Sequence, residues 1–244
     1  DGSPANAAQV TYNSTSPGVS SFGTTTTDNN GFYFFDDVPK GQVYVQAKPA
    51  LGNDGGANTG QVAFAGDVAQ VNIQFGGTGQ VNGTVTTAAG VPVSGLRVVI
   101  ARNTTAFPYY NADTLTDGSG YFAFSGVPVG DVSLTTNQPS TGLAGSAAGK
   151  INAPDATLNL TVTLAEAGTV KGRVLRADGT PAAKMALEII RAGVSRFGST
   201  ADDGAFVFTD MKLGNYALTV TDPLGTGLAK ATAAVTTQGQ IVDL

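Results

Sequence analysis

The chain of 244 residues contains no cysteine, no histidine and no tryptophan. Without cysteine there is no disulfide framework and no thiolate metal site. Without histidine or cysteine the common nucleophile–base pairs are unavailable as well. Glutamate occurs at Glu166 and Glu188 alone, and the two do not recur as a pair. Charged residues make up 13% of the chain and the formal net charge is −5, which argues against a nucleic-acid partner, because Lys and Arg must displace counterions from phosphate. No apolar run approaches the ~18 residues of a membrane-spanning helix, and no signal-peptide pattern is visible. The expectation is a soluble segment of a mature or truncated product, without a cofactor and without enzymatic activity.

What the chain has in abundance is glycine, 33 residues, and one pattern written three times. It reads TDNNGFYFFDDVPKG from Thr27, TDGSGYFAFSGVPVG from Thr116 and TADDGAFVFTDMKLG from Thr200. The second and third copies are preceded by GQVNGTV from Gly79 and GTVKGRV from Gly168, each followed by a Gly-x-Pro turn. Gly79 to Gly168 and Pro92 to Pro181 are both 89 residues apart, so the repeating unit has the size of a domain. Three domains are expected, over residues 1–78, 79–166 and 167–244.

Period-2 alternation predicts strands throughout and an all-β fold. Inward rows in the second repeat are Val81, Gly83 and Val85, then Leu96, Val98 and Ile100, then Phe122 and Phe124, Val132 and Leu134, and Leu158, Leu160 and Val162. The third repeats them with Val170 and Val174, Leu187 and Ile189, Phe206 and Phe208, and Leu218 and Val220. The first supplies Ala8, Val10 and Tyr12, Tyr33 and Phe35, Val43 and Val45, and Val71, Ile73 and Phe75. Asp28 to Gly31 and Asp117 to Gly120 read as tight turns in which Asp bonds its own backbone and Gly accepts positive φ.

The GxVxGxV strand, the Gly-x-Pro turn and the TDxxGxFxFxxVPxG run resemble the carboxypeptidase regulatory-like domain. That resemblance implies a transthyretin-like Greek-key sandwich of about seven strands, used as an appended module and commonly without catalytic residues. The related B-type repeats of collagen-binding adhesins and pilus shafts can carry a Lys to Asn or Asp isopeptide bond, for which Lys171 with Asp243 is the one pair at suitable positions here.

The ends of the chain are out of register with the repeat. Asp1-Gly2-Ser3-Pro4 matches Asp178-Gly179-Thr180-Pro181, so the first repeat starts after the place of its first strand. Gln240 to Leu244 matches only the opening of Leu158 to Leu164, so the third is cut short. The missing first strand would leave an open edge at Ala8, Val10 and Tyr12. Either the sequence is part of a longer array, or a neighbouring subunit supplies the strand.

Other candidate sites have plainer rivals. Asp28, Asp36 and Asp37 offer hard oxygen ligands for Ca²⁺ but lack EF-hand spacing, and turn chemistry accounts for them. Phe107, Tyr109 and Tyr110 lie in a loop five residues longer than its counterpart in the third repeat, and would contact a ligand or a subunit, or pack on their own domain. Sequons occur at Asn13, Asn82, Asn103 and Asn159, with Asn103 the best placed for a glycan. The expected role is a structural subunit or segment of an extracellular filament, pilus-like fibre or adhesin stalk, partnered by copies of itself or adjacent repeats. The alternative is a glycan-binding or accessory region of a larger secreted enzyme.

Overall fold

The computed structural model describes residues 2–16, 19–102, 107–223 and 228–244, and every regular element among them is a β-strand. Residues 78–163 supply seven strands: β5 (Thr78–Thr86), β6 (Arg97–Arg102), β7 (Asn111–Leu115), β8 (Tyr121–Pro128), β9 (Gly130–Gln138), β10 (Leu143–Ile151) and β11 (Thr157–Thr163). They form a sheet of order β10-β9-β6-β7 facing a sheet of order β11-β5-β8, in which β5 runs antiparallel to β8 and parallel to β11. Val81, Phe122 and Val162 from the small sheet meet Val98, Ile100 and Leu134 from the large one, all at or near zero exposure. These are the residues that alternation assigned inward. Leu158 and Leu160 are only half-buried at the edge of the same core.

Residues 167–243 repeat the plan with β12 (Ala167–Arg173), β13 (Ala186–Arg191), β14 (Val194–Ser199), β15 (Ala205–Lys212), β16 (Gly214–Thr221), β17 (Leu228–Val235) and β18 (Ile241–Asp243). The sheets are β14-β13-β16-β17 and β15-β12-β18, again with the middle strand of the small sheet parallel to the last strand. A second core gathers Val170, Leu187, Ile189, Phe208, Met211 and Leu218.

The start of the chain builds only half of this plan. β1 (Gln9–Ser16), β2 (Val19–Thr26), β3 (Gly41–Lys48) and β4 (Gly56–Val62) make one sheet of order β2-β1-β3-β4, the counterpart of β7-β6-β9-β10. Its core, Val10, Tyr12, Val43, Val45, Ala47 and Val62, shares no residue with the other two cores.

One polar device is common to all three units. Thr116 is buried, its Oγ1 donates to the Val93 carbonyl at 2.8 Å and accepts from the Leu96 amide at 2.9 Å. Thr200 does the same between Ala182 and Met185, and Thr27 between Ala5 and Ala8. Each hydroxyl satisfies a buried amide and a carbonyl just before the first strand of the large sheet, where an unpaired donor would cost about 1–3 kcal/mol. The turn that follows is held by Asp117, whose Oδ1 accepts from Ser119 Oγ, Ser119 N and Tyr121 N at 2.7–2.9 Å. Those bonds, led by the Ser119 hydroxyl, hold its carboxyl below the usual range.

The paired rings of the aromatic strand give a direct test of this core. Phe124 and Phe208 occupy equivalent places, 6% and 5% exposed, each beside a second ring at 6.0–6.1 Å. Phe124→Ala or Phe208→Ala should each cost about 3–5 kcal/mol in urea denaturation. Variants that unfold at the wild-type midpoint would show that the inward rows are misassigned.

Candidate strand-acceptor groove

In the second and third units the small sheet has a middle strand, β5 or β12, written Gly-x-Val-x-Gly-x-Val. In the first unit the two flanking segments are present, and no middle strand lies between them among the described residues. Phe32 to Phe35 stands where β8 stands, with Tyr33 in the place of Phe122 and Phe35 in that of Phe124. Val68 to Phe75 stands where β11 stands, with Val71 in the place of Leu160. Both segments alternate between exposed and half-buried residues, as strands of a sandwich do, yet neither enters a ladder among the described residues. The backbone has a strand's pattern without a strand's partner.

Between them lies a cleft of about 1350 Å³, bounded by Tyr33, Phe35 and Val38 on one side and by Ala69, Val71 and Ile73 on the other. Ala8, Val10, Tyr12, Val43 and Val45 are its floor. The expectation of an open edge at Ala8, Val10 and Tyr12 is thereby corrected. β1 is hydrogen-bonded to β2 on one side and to β3 on the other, and the three residues are at most 5% exposed. The unfilled place is in the opposite sheet, because the first strand of this repeat pairs with the aromatic strand and the last strand and never with β1's counterpart.

The cleft keeps its shape through a few internal contacts. Tyr33 Oη crosses it to donate to the Val71 carbonyl at 2.5 Å, and burial pushes the Tyr33 phenol up. Tyr12 meets Phe35 edge-on with ring centroids 4.7 Å apart. At one end Asp54 Oδ1 accepts from the Gly55 and Gly77 amides at 2.7 and 2.9 Å, tying β4 to the start of the next unit. On the outer face Phe32 and Phe34 remain 66% and 58% exposed and Val68 79%.

The other candidate residues fall in separate places. Asp28 uses Oδ1 to accept from the Asn30 and Phe32 amides at 2.8 and 2.9 Å, the same turn that Asp117 makes. Asp37 has φ of 54°, as Gly126 has 63° and Asp210 53° at the same position of the repeat, where the ladders of the second and third units carry a bulge. Asp tolerates that left-handed conformation better than most residues. Among the described residues no group of three or more acidic side chains is arranged to hold a metal. Phe107 lies half-buried against Gly55, across the junction of the first and second units, and its ring meets Tyr109 at 6.3 Å. Tyr110 packs on the core of the second unit, while Tyr109 stays exposed. Asn103 lies outside the described residues. Lys171 and Asp243 do meet, Nζ to Oδ2 at 3.2 Å, with side chains 48% and 68% exposed, so they form a solvated ion pair, and among the described residues no Asp or Glu is buried.

Sequence reasoning missed two features of these units, the threonine that clips each one and the contact of Phe107 with Gly55. The first had a signal, since Thr opens all three copies of the pattern. The second had none.

The model of the carboxypeptidase regulatory-like domain matches residues 80–165. No curated protein sequence matches the chain. Among solved structures it is similar to the Bacillus anthracis TIE protein, with 16% identity over 99% of this chain and 47% of that one and a TM-score of 0.35. It is also similar to a streptococcal ancillary pilin, with 12% identity, 98% and 92% coverage and a TM-score of 0.42. A third is GBS52, the minor pilin of Streptococcus agalactiae, with 17% identity, 67% and 85% coverage and a TM-score of 0.46. The chain spans about half the length of the Bacillus anthracis protein. It is an all-β chain whose middle unit, residues 80–165, matches the carboxypeptidase regulatory-like domain.

Proposed function

We propose that the chain is a non-catalytic structural segment of an extracellular filament, pilus-like fibre or adhesin stalk, in which the first of three tandem sandwiches receives a strand from outside itself. The observation that carries this reading is the cleft between Tyr33–Phe35 and Ala69–Ile73, which is lined by the inward rows of two segments that enter no ladder among the described residues. A repeat that must borrow a strand is a joint between molecules or between units of an array. Short links at 76–79 and 165–168 fit a row of beads with limited bend. Contacts across the first junction act the same way: Asn53 Nδ2 donates to the Gly126 carbonyl at 3.0 Å and the Val129 amide to the Gly77 carbonyl at 3.0 Å. A mostly uncharged, cysteine-free chain suits a surface location and copies of itself as partners.

Negative-stain images of native material test the reading: regular fibres or stalks are expected, and discrete globular particles retained on polysaccharide would overturn it. A second expected outcome concerns chemistry. EDTA should leave the melting temperature unchanged, and peptides, esters and common polysaccharides should not be turned over. A chelator-induced drop of more than about 5 °C, the equivalent of roughly 1 kcal/mol in a domain this size, would show a structural metal and direct attention to Asp28, Asp36 and Asp37.

A further inference from the structure

We infer that β2 is an interaction surface for a second copy of the chain: two β2 strands pair edge to edge, antiparallel about a two-fold axis at Phe22, and join their sheets into one. This inference names a surface for the reading that copies of the chain are its partners, and it does not involve the groove.

β2 ends its sheet, and β1 is its sole strand partner among the described residues. Its counterparts β7 and β14 end their sheets in the same way, so the free side belongs to the repeat and not to the start of the chain. A free edge is a template for another strand, and sheets commonly blunt it with charge, bulges or cover. β7 is five residues long and carries Asp113, held by Arg97 at 2.9 Å. β14 carries Arg196, which lies over the Phe208 ring of the facing sheet and donates to the Thr209 carbonyl at 2.7 Å. β2, eight residues reading VSSFGTTT, has neither charge nor proline, and its ladder with β1 runs its whole length without a bulge. Phe22 stands 78% exposed on the outer face and Val19 52% exposed at the tip.

The backbone sets the register. Just past the strand, the Thr27 amide donates to the Ala8 carbonyl at 3.0 Å, on the β1 side. Successive residues alternate in direction, so Ser20, Phe22 and Thr24 turn amide and carbonyl to the open side. Pairing Phe22 with its own copy sets Ser20 opposite Thr24, and all three residues then meet partners of the same phase. A register one residue off would set them against groups that point back to β1. On the outer face the pairing brings the two Phe22 rings together between Ser–Thr pairs, and Val19 meets Thr25 on the other face. Aromatic, hydroxyl and β-branched cross-strand pairs are favourable, and no like charges meet.

The inner face of β2 is already closed. A Cβ on Gly23 would lie 2.7 Å from Tyr12 Cε1, and Tyr12 Oη meets Ser21 Oγ at 2.8 Å, so a partner adds at the edge and does not insert beneath the strand. One eight-residue edge falls short of the about 1,200–2,000 Å² of a standing complex. A single pair is therefore weak, and it gains strength where a fibre or array presents many copies at once.

The test uses the full chain in sedimentation velocity at rising concentration, with amide hydrogen exchange as a second readout. Wild type should approach the dimer mass with a dissociation constant on the order of 100 μM, as a small interface gives, and the amides of Ser20, Phe22 and Thr24 should gain protection as the dimer forms. Phe22→Lys and Phe22→Glu should each stay monomeric, because like charges then face each other across the axis. An equimolar mixture of the two should recover the dimer. Phe22 is exposed, so both variants should melt with wild type. Phe197→Lys, at an exposed ring on the edge strand of the third unit, should dimerise as wild type does. A chain monomeric at every concentration would leave β2 to some other strand and overturn the inference. So would dimers without protection of those amides, undiminished association of Phe22→Lys, or a mixture that does not recover. A dimer of this kind from native material that forms no fibres would uphold the edge pairing and sink the filament reading.

Discussion

A valine at Gly83 or Gly172 is expected to unfold the unit that contains it. The added Cβ of the first variant collides with the carbonyl oxygen of Leu160 and with Phe122, which is 1% exposed and has nowhere to retreat. Moving Leu160 would break the parallel pairing with β5, which extends over Thr157 to Thr163. Moving Phe122 would displace the centre of the core. Overpacking a close-packed interior costs about 1–3 kcal/mol when side chains alone must shift, and more when backbone must shift too. A unit of this size has only a few kcal/mol to lose. Gly83→Val should therefore lose more than about 3 kcal/mol in urea, whereas Gly118→Ala, whose new Cβ meets nothing within 4 Å, should stay within about 0.5 kcal/mol. Comparable midpoints for the two variants would show that the middle strand is not seated as described.

The second large effect comes from giving the first unit a strand of its own. Asp1-Gly2-Ser3-Pro4 aligns with Asp178-Gly179-Thr180-Pro181, and Pro4 already lies at the mouth of the groove. Fusing a copy of Ala167 to Ala177 ahead of Asp1 thus places Gly-x-Val-x-Gly-x-Val in register with Tyr33 and Val71, followed by the turn that β12 uses. Two valines then go from water into an apolar slot at about 1.5–3 kcal/mol each, and backbone amides on both flanks gain partners. Ordering eleven residues offsets part of this. A rise on the order of 10 °C in the melting temperature of the first unit is expected. An unchanged melting curve would mean that the fused segment does not occupy the groove.

Much of the fold was legible because inward rows obey period 2. Val98 and Ile100, Phe122 and Phe124, Val132 and Leu134 were assigned inward on alternation and are buried. The place of the missing strand was legible only in part. Alternation tells which face a residue takes and not which strand lies beside it. Alternation alone therefore reads Ala8, Val10 and Tyr12 as an edge, although β1 is paired on both sides and they form the floor. Neighbours in the small sheet are distant in sequence: Val81 pairs with Phe124 and with Leu158. No local pattern encodes that adjacency. The glycines of Gly-x-Val-x-Gly-x-Val were visible, while their cause, a buried ring and a carbonyl pressed against them, needs the sheet assembled. Phe107 illustrates the same limit, since its contact with Gly55 joins two units through space.

The most direct measurement is a high-resolution reconstruction of the assembled native material, inspected between Tyr33–Phe35 and Ala69–Ile73. The account predicts continuous density for one extended segment that does not belong to the described residues of this chain, antiparallel to Phe32–Phe35 and without a side chain where it passes Tyr33. A first unit closed by its own residues alone, with Phe32–Phe35 paired directly to Val68–Phe75 and no foreign strand between them, would contradict it.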